Sequence, residues 1–472
     1  MEIILLTSLL LAGFYMAWSI GANDVANAMG TSVGSKALTL RQAVMIAAVL
    51  EFCGAFFFGS YVSETVQSGI IDQSFFTLKP ILFVLGMLSA LLATGFWLQI
   101  ASYMGWPVST THSIVGALVG FGLLAGGSEA IYWANVTTIV FSWMLSPILG
   151  GFIAYFLFSL LTKKILYQPS PAAAAKKLTP FLVLFVFFTL TLTLIYKGLH
   201  NLPFELSLLP SILASLLVAS LAALLSHIGL KKISHDKSPA LAKLEQIAIL
   251  SKGLRKAEKH LNRVQASSQG AMQTKVTELI DEIKLLSENV SEKNSLEYIH
   301  TEYDEVEKIF GYLQIFTACM MAFAHGANDV ANAIGPIAAA ISFLNTDYLA
   351  QGQMTPNWIL ALGGAGIVLG LATWGWRVIE TVGKKITELT PTRGFAAEFG
   401  AAATILFASR LGLPISTTHT LVGAVIGVGM ARGIEAINLG TIRDILASWF
   451  VTIPIGALLT CGFYILLKLF FV

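Results

Sequence analysis

Charge is scarce in this chain. Lys, Arg, Asp and Glu make up 12% of its 472 residues, against about a quarter in an ordinary soluble domain. With 56% hydrophobic residues and a mean hydropathy of +0.75, a soluble globular protein is excluded. The net charge of +2 offers nothing to recruit nucleic acid. Cysteine is nearly absent: Cys53, Cys319 and Cys461 stand at unrelated spacings in apolar surroundings, which argues against a disulfide framework or a cysteine metal cluster. The apolar runs lack the period-two alternation of a membrane barrel, and there is no GxSxG or Walker-type loop.

What remains is an all-α polytopic membrane protein. About twelve transmembrane or re-entrant segments are expected to begin near residues 3, 42, 80, 109, 132, 180, 207, 310, 357, 396, 415 and 443. The first run leads into a polar motif without a small-residue cleavage site, so it reads as a retained span. Residues 231–308 form the one long polar interval, with 13 of the 29 basic and 13 of the 27 acidic side chains. Heptad spacing of Ile247, Leu254 and Leu261, then of Val276, Ile283 and Val290, predicts two helices broken at SSQG (267–270). Their opposite charge bias, 9 basic against 3 acidic in 231–266 and 4 against 10 in 267–309, favours an antiparallel hairpin.

The chain is written twice. GANDVANAMG (21–30) returns as GANDVANAIG (326–335) at an offset of 305, and WPVSTTHSIVGALVGFGL (106–123) as LPISTTHTLVGAVIGVGM (413–430) at an offset of 307. Seven segments separate the first span from its copy, and an odd number inverts the copy. Loop charge agrees: Lys36 and Arg41 follow the first octet, whereas 336–357 has no basic residue. The next loop has only Lys79, against Arg377, Lys384, Lys385 and Arg393 in its counterpart. Lys163, Lys164, Lys176, Lys177, Lys231 and Lys232 then place the insert in the cytoplasm and both termini outside, in an inner or plasma membrane. The expected domains are a first membrane repeat (1–162), connecting membrane helices (163–230), the insert (231–308) and a second, inverted repeat (309–472).

Asp24, Glu51, Asp329 and Glu398 lie deep in apolar segments or at repeated motifs, and no Lys or Arg is comparably placed. Gly21, Ala22, Asn23 and Asn27, with Gly326, Ala327, Asn328 and Asn332, suggest helices that unwind around Asp24 and Asp329 and offer oxygen ligands to a small hard cation such as sodium. Pro107 and Pro414 precede Ser109, Thr110, Thr111 and Ser416, Thr417, Thr418, so each hydroxyl cluster falls at a helix start. There, free N–H groups hold an oxyanion without arginine. His112 and His419 orient these clusters or hydrogen-bond within the bundle. An intramembrane hydrolase is disfavoured, because both halves carry the same Ser, His and Asp set where a nucleophile needs one asymmetric site.

These paired GANDVANA and STTH motifs around a central insert resemble the inorganic phosphate transporter (PiT) family over both membrane halves, all but the insert and residues 163–230. The resemblance implies cation-coupled phosphate uptake, with phosphate among Ser109–Thr111, Ser416–Thr418, Asn23 and Asn328. Sodium would sit at Asp24, Asp329, Asn23 and Asn328. Glu51 (in LEFCG) and Glu398 (in FAAEFG) match membrane glutamates of the family, which implies translocation or gating. Asn23-Asp24, where proton-coupled bacterial members read His-Asp, is similar to the sodium branch. The expected partners are phosphate, sodium and lipid, with no nucleic acid and no cofactor beyond the coupling ion, and a homodimer is compatible. A proton-coupled phosphate or sulfate symporter, or an anion channel, is the alternative.

Overall fold

The computed structural model describes residues 2–196, 206–233, 253–254, 256–344, 355–376, 378–379, 389–433 and 439–472. Ile247, Arg377, Lys384 and Lys385, used above for the heptad and loop-charge arguments, lie outside the described residues. The first half comprises α1 (Glu2–Gly34), α2 (Leu40–Phe58), a short α3 (Ser60–Ser68), α4 (Pro80–Met104), α5 (Thr110–Gly126) and α6 (Trp133–Leu161). Then come α7 (Pro171–Ile195), α8 (Leu208–Ile233) and α9 (256–267). The second half follows as α10 (Ala271–Leu344), α11 (Asn357–Thr373), α12 (Pro391–Arg410), α13 (Thr417–Arg432) and α14 (Leu439–Phe471).

Each of the twelve expected segments lies on a helix, and among the described residues eight helices are long and apolar enough to cross a membrane. The segment expected near 310 starts inside α10, because from Ala271 to His325 the sequence has no proline and Gly311 as its single glycine. At 17 and 16 residues, α5 and α13 fall short of the roughly 20 needed to span.

Two compact units are present: Met1–Thr162, Leu184–Ala219 and Phe310–Val472 form one, Lys163–Val183 and Ser220–Ile309 the other. The expected connecting region 163–230 is thus divided between them. In the second unit the SSQG break occurs where predicted, with Gly270 at φ 63°. Val276 and Ile280 are buried, and Gln265 Nε2 donates to Thr277 Oγ1 across the turn at 2.8 Å. Glu302 Oε2 accepts from Ser170 Oγ (3.1 Å) and Ala172 N (3.0 Å), capping the start of α7. Lys176 pairs with Glu305 at 2.5 Å, and Tyr303 OH donates to Leu166 O at 2.9 Å.

In the first unit, the expected unwinding at the octets does not occur: α1 and α10 are helical throughout. A continuous helix satisfies its own backbone where water is absent, and the small residues serve packing instead. A Cβ on Gly21 would lie 2.7 Å from the carbonyl carbon of Ile367, and one on Gly326 2.8 Å from that of Glu51. A Cβ on Gly54 would meet Ala327 N at 2.9 Å, and one on Gly370 would meet Ala22 N at 2.9 Å. Ala22 and Ala327 are equivalent in the octets, so α1 crosses α11 as α10 crosses α2, and Glu51 corresponds to Ile367.

The STTH motifs sit at matching turns. After α4 and α12 the chain reverses at Gly105 (φ 68°) and Gly412 (φ 67°), where a Cβ is strained. Trp106 N and Leu413 N return to Ala101 O and Ala408 O at 2.8 and 3.0 Å. Ser109 and Ser416 then cap α5 and α13, each hydroxyl accepting from the backbone N–H of His112 or His419 at 3.2 Å.

Candidate functional site

Continuous helix at the octets places Asn23, Asp24 and Asn27 on one face of α1, and Asn328, Asp329 and Asn332 on one face of α10, because residues four apart stack along a helix. Both faces meet the STTH turns, crosswise. Asn27 Nδ2 of the first half donates to Thr418 Oγ1 of the second at 2.8 Å, and Asn332 Nδ2 of the second donates to Thr111 Oγ1 of the first at 3.1 Å. The two turns also grip each other: Thr111 Oγ1 donates to Ile415 O (3.0 Å) and Thr418 Oγ1 to Val108 O (3.3 Å). This reciprocity is that of a two-fold, with residue i touching j and the copy of j touching the copy of i.

The outer asparagines repeat the pattern. Asn23 Nδ2 donates to Ser102 Oγ and Trp106 O, both at 3.1 Å. Asn328 Nδ2 donates to Ser409 Oγ at 2.9 Å and Leu413 O at 3.2 Å. Their amide nitrogens are therefore committed and their oxygens are not. Asn23 Oδ1, Asp24 Oδ2, Asn328 Oδ1, Asp329 Oδ1 and Asn332 Oδ1 are all buried without a hydrogen-bond donor. Buried polar atoms normally have partners, and a buried carboxylate oxygen without one is costly. Ligand atoms of Asp24, Asp329 and His325 come within 4.8 Å of one another, a buried grouping that suits a cation.

The sequence-predicted residues divide into three groups. Ser109, Thr110, Thr111, Ser416, Thr417 and Thr418 join Asn23, Asp24, Asn328 and Asp329 in this buried cluster, where Thr417 Oγ1 donates to Asp329 Oδ2 at 2.8 Å. Glu51 stands beside it, its Oε1 3.2 Å from His325 Nδ1. Glu398 stands apart: its Oε1 accepts from Thr31 Oγ1 and Ser32 Oγ (2.5 Å each) and Gln314 Nε2 (3.1 Å), and its Oε2 from Thr317 Oγ1 (2.8 Å). Thr31 is seven residues beyond Asp24, about 10 Å along α1 at 1.5 Å per residue. His112 and His419 lie ring to ring with centroids 4.2 Å apart, flanked by Trp143 at 3.9 Å and Trp449 at 3.4 Å, so they brace the two caps behind the hydroxyls.

Sequence reasoning missed His325, Gln314, and the pair Ser102 and Ser409. The serines were within reach: SYMG and SRLG precede the recognised repeat at the same offset of 307. His325 was signalled only by a mismatch, standing one residue before the octet where the first copy has Ile20.

An apolar helical bundle with a buried, two-fold, oxygen-lined centre defines an ion-handling integral membrane protein. Comparison makes this specific. The model of the phosphate transporter family matches residues 20–460. The chain is 47% identical over 452 residues to the chloroplastic inorganic phosphate transporter 2-1 of Arabidopsis thaliana, covering 95% of this chain and 70% of that one. A solved structure titled "The sodium-dependent phosphate transporter" superposes with a TM-score of 0.79 at 38% identity, over 99% of both chains. The chain belongs to the phosphate transporter family.

Proposed function

We propose that this protein is a secondary active symporter that couples inward movement of sodium to uptake of inorganic phosphate by alternating access. The observation that carries the reading is the crossed cluster, in which two hydroxyl-bearing helix starts and a set of orphaned carboxylate and amide oxygens share one buried centre. Phosphate needs donors, which the N–H groups and hydroxyls at the starts of α5 and α13 supply together with the helix dipoles. Sodium needs oxygens, which Asp24 and Asp329 supply. Asn23 and Asn328 present oxygen because their nitrogens are already used, so in this reading they serve the cation rather than the phosphate. Bound sodium offsets the charge of incoming phosphate, no cofactor beyond that ion is required, and each ligand tightens the other by the same factor. The structural relative named for sodium dependence supports the choice of ion.

The lining residues all come from one chain, so in a homodimer each copy transports by itself. The basic loops support an insert in the cytoplasm and termini outside, which an impermeant thiol reagent checks at Ser267→Cys in sealed vesicles.

The deciding experiment is labelled phosphate uptake into proteoliposomes, with sodium, potassium and pH gradients varied separately. Uptake that requires inward sodium and shows counterflow is expected. Uptake that ignores sodium and follows protons would establish a proton-coupled carrier, a reading to which His325 at the cluster lends weight. Conduction without counterflow would establish a channel.

A further inference from the structure

The short helix α3 is polar where its neighbours are apolar, and at nine residues it cannot span. Its Glu64 and Ser68, four residues apart, stack on one face, with Thr65 beside them. Asn135 and Thr138, three apart, share a face at the start of α6. These two faces line an open-mouthed cavity of about 320 Å³, and its third wall is the turn at Gly412 and Leu413 between α12 and α13.

That turn is shared with the buried centre. Thr65 Oγ1 donates to Gly412 O at 2.6 Å from the cavity, and Asn328 Nδ2 donates to Leu413 O at 3.2 Å from the polar cluster. One turn of backbone thus stands between the two.

What the cavity can hold follows from where its hydrogens go. Thr65 spends its hydroxyl hydrogen on Gly412 O, Ser68 on Glu64 O and Thr138 on Ala134 O (both 3.0 Å), while Asn135 Nδ2 donates to Gly69 O at 3.0 Å. A hydroxyl has one hydrogen to give, so lone pairs are what these groups still offer. Glu64 adds an exposed carboxylate, and no Lys or Arg is among the lining side chains. Arg410, next to the turn, lies over the Tyr61 ring, 5.0 Å from its centroid. The cavity therefore presents acceptors where the STTH helix starts present donors. At roughly 30 Å³ per water it takes about ten waters, room for a small cation with its hydration shell.

We propose that this cavity is a cation antechamber: it gathers hydrated sodium on the side that the loop charges place outside and passes it to the buried cluster when the Gly412–Leu413 turn moves, with Glu64 supplying the attraction. This rests on the sodium-coupled reading above. A charge at the mouth of a cleft speeds the arrival of its counter-ion and leaves the affinity of the site beyond it nearly unchanged. Glu64 acts on entry, and the bound ion is held by other groups.

The test measures initial phosphate uptake in right-side-out membrane vesicles and sodium binding to the purified full chain by calorimetry, for wild type, Glu64→Gln and Glu64→Lys. A unit charge about 7 Å away across water changes the local concentration of a monovalent cation about threefold. At limiting sodium and low ionic strength, uptake should therefore fall about threefold in Glu64→Gln and about sevenfold in Glu64→Lys, and both losses should vanish in about 1 M choline chloride, where the screening length is about 3 Å. Sodium affinity by calorimetry should stay at the wild-type value, a split between rate and affinity that misfolding does not produce. At saturating sodium and limiting phosphate, Glu64→Lys should raise uptake, since the mouth no longer repels the anion. If the lysine variant does not insert, Glu64→Cys takes its place: a trimethylammonium thiol reagent should slow uptake at limiting sodium and a sulfonate reagent should restore it, with wild type treated alike as the control for Cys53, Cys319 and Cys461. Wild-type uptake at limiting sodium in both Glu64→Gln and Glu64→Lys, a loss that persists in choline chloride, or equal effects of the two thiol reagents overturns the antechamber alone. A wild-type protein indifferent to sodium overturns the symport reading and this inference with it.

Discussion

Gly326→Ala adds one methyl group at a place where two helices already touch by their backbones. The new Cβ would sit 2.7 Å from Glu51 Cα and 2.8 Å from its carbonyl carbon, where ordinary contact begins at 3.4 Å. The nearest atoms are all backbone of Glu51, so no side chain can turn away, and α2 and α10 must separate by about 1 Å along their crossing. Forcing an extra carbon into a packed core costs typically 1–3 kcal/mol, and the upper end applies where the obstacle is main chain. For a chain of this size, about 3 kcal/mol corresponds to a fall in apparent Tm of about 3 °C. The same separation shifts α10 at the Asp329 cluster, so uptake at limiting sodium should fall along with stability. The internal control is Gly462→Ala on α14, where nothing stands within 4 Å of the added carbon and the change should be neutral or slightly stabilising. Thermal melts of the purified protein and uptake at graded sodium measure both effects. A Gly326→Ala protein that melts and transports like wild type would refute the backbone-contact argument and, with it, the placement of Glu51.

Three further outcomes are expected. Thr418→Ala should raise phosphate KM about tenfold while leaving sodium binding in the absence of phosphate nearly unchanged, since it removes a hydroxyl that partners Asn27 and Val108 but bears no ligand charge; calorimetry with each solute alone separates the two. Glu398→Gln should lower maximal uptake with little loss of folded protein, because four donors converge on that carboxylate and an amide nitrogen would face at least one of them; initial rates set against the yield of monodisperse protein decide this. Replacing the hairpin tip, residues 256–284, with a flexible linker should preserve measurable uptake, whereas Glu302→Ala should lower the melting temperature through loss of the α7 cap; a well-inserted tip deletion that is inactive would contradict the first half of this expectation.

Repetition made the centre legible. GANDVANA and STTH each occur twice, and two copies of a polar motif in an apolar chain are hard to explain except as one site built from two halves. The helices were legible from apolar runs, because a span must satisfy its own backbone and therefore shows itself as length. What stayed hidden depended on contact between distant positions. Glu51 and His325 are 274 residues apart and share no motif. The match of α2 to α11 rests on glycines that let backbones touch, at an offset of 316 that no run of identical residues reveals. Composition misled at the octets: Gly and Asn are weak helix formers in isolation, but here they allow close packing and present amides on one face, so tertiary context overrode propensity. Reading the repeats for their mismatches, Ile20 against His325 above all, would have exposed the asymmetry that matching concealed.

Because Asn27 closes on Thr418 and Asn332 on Thr111, each half of the chain carries only the complement of the other's site. A single half could work only as a pair of identical copies about the same two-fold, each lending its hydroxyls to its neighbour's amides. Such a pair would be compelled to place identical groups at both aspartates, either isoleucines twice or an acid and a base twice. Joining the halves in one polypeptide lifts that compulsion, and one position at which this chain uses the freedom lies one residue before the octet.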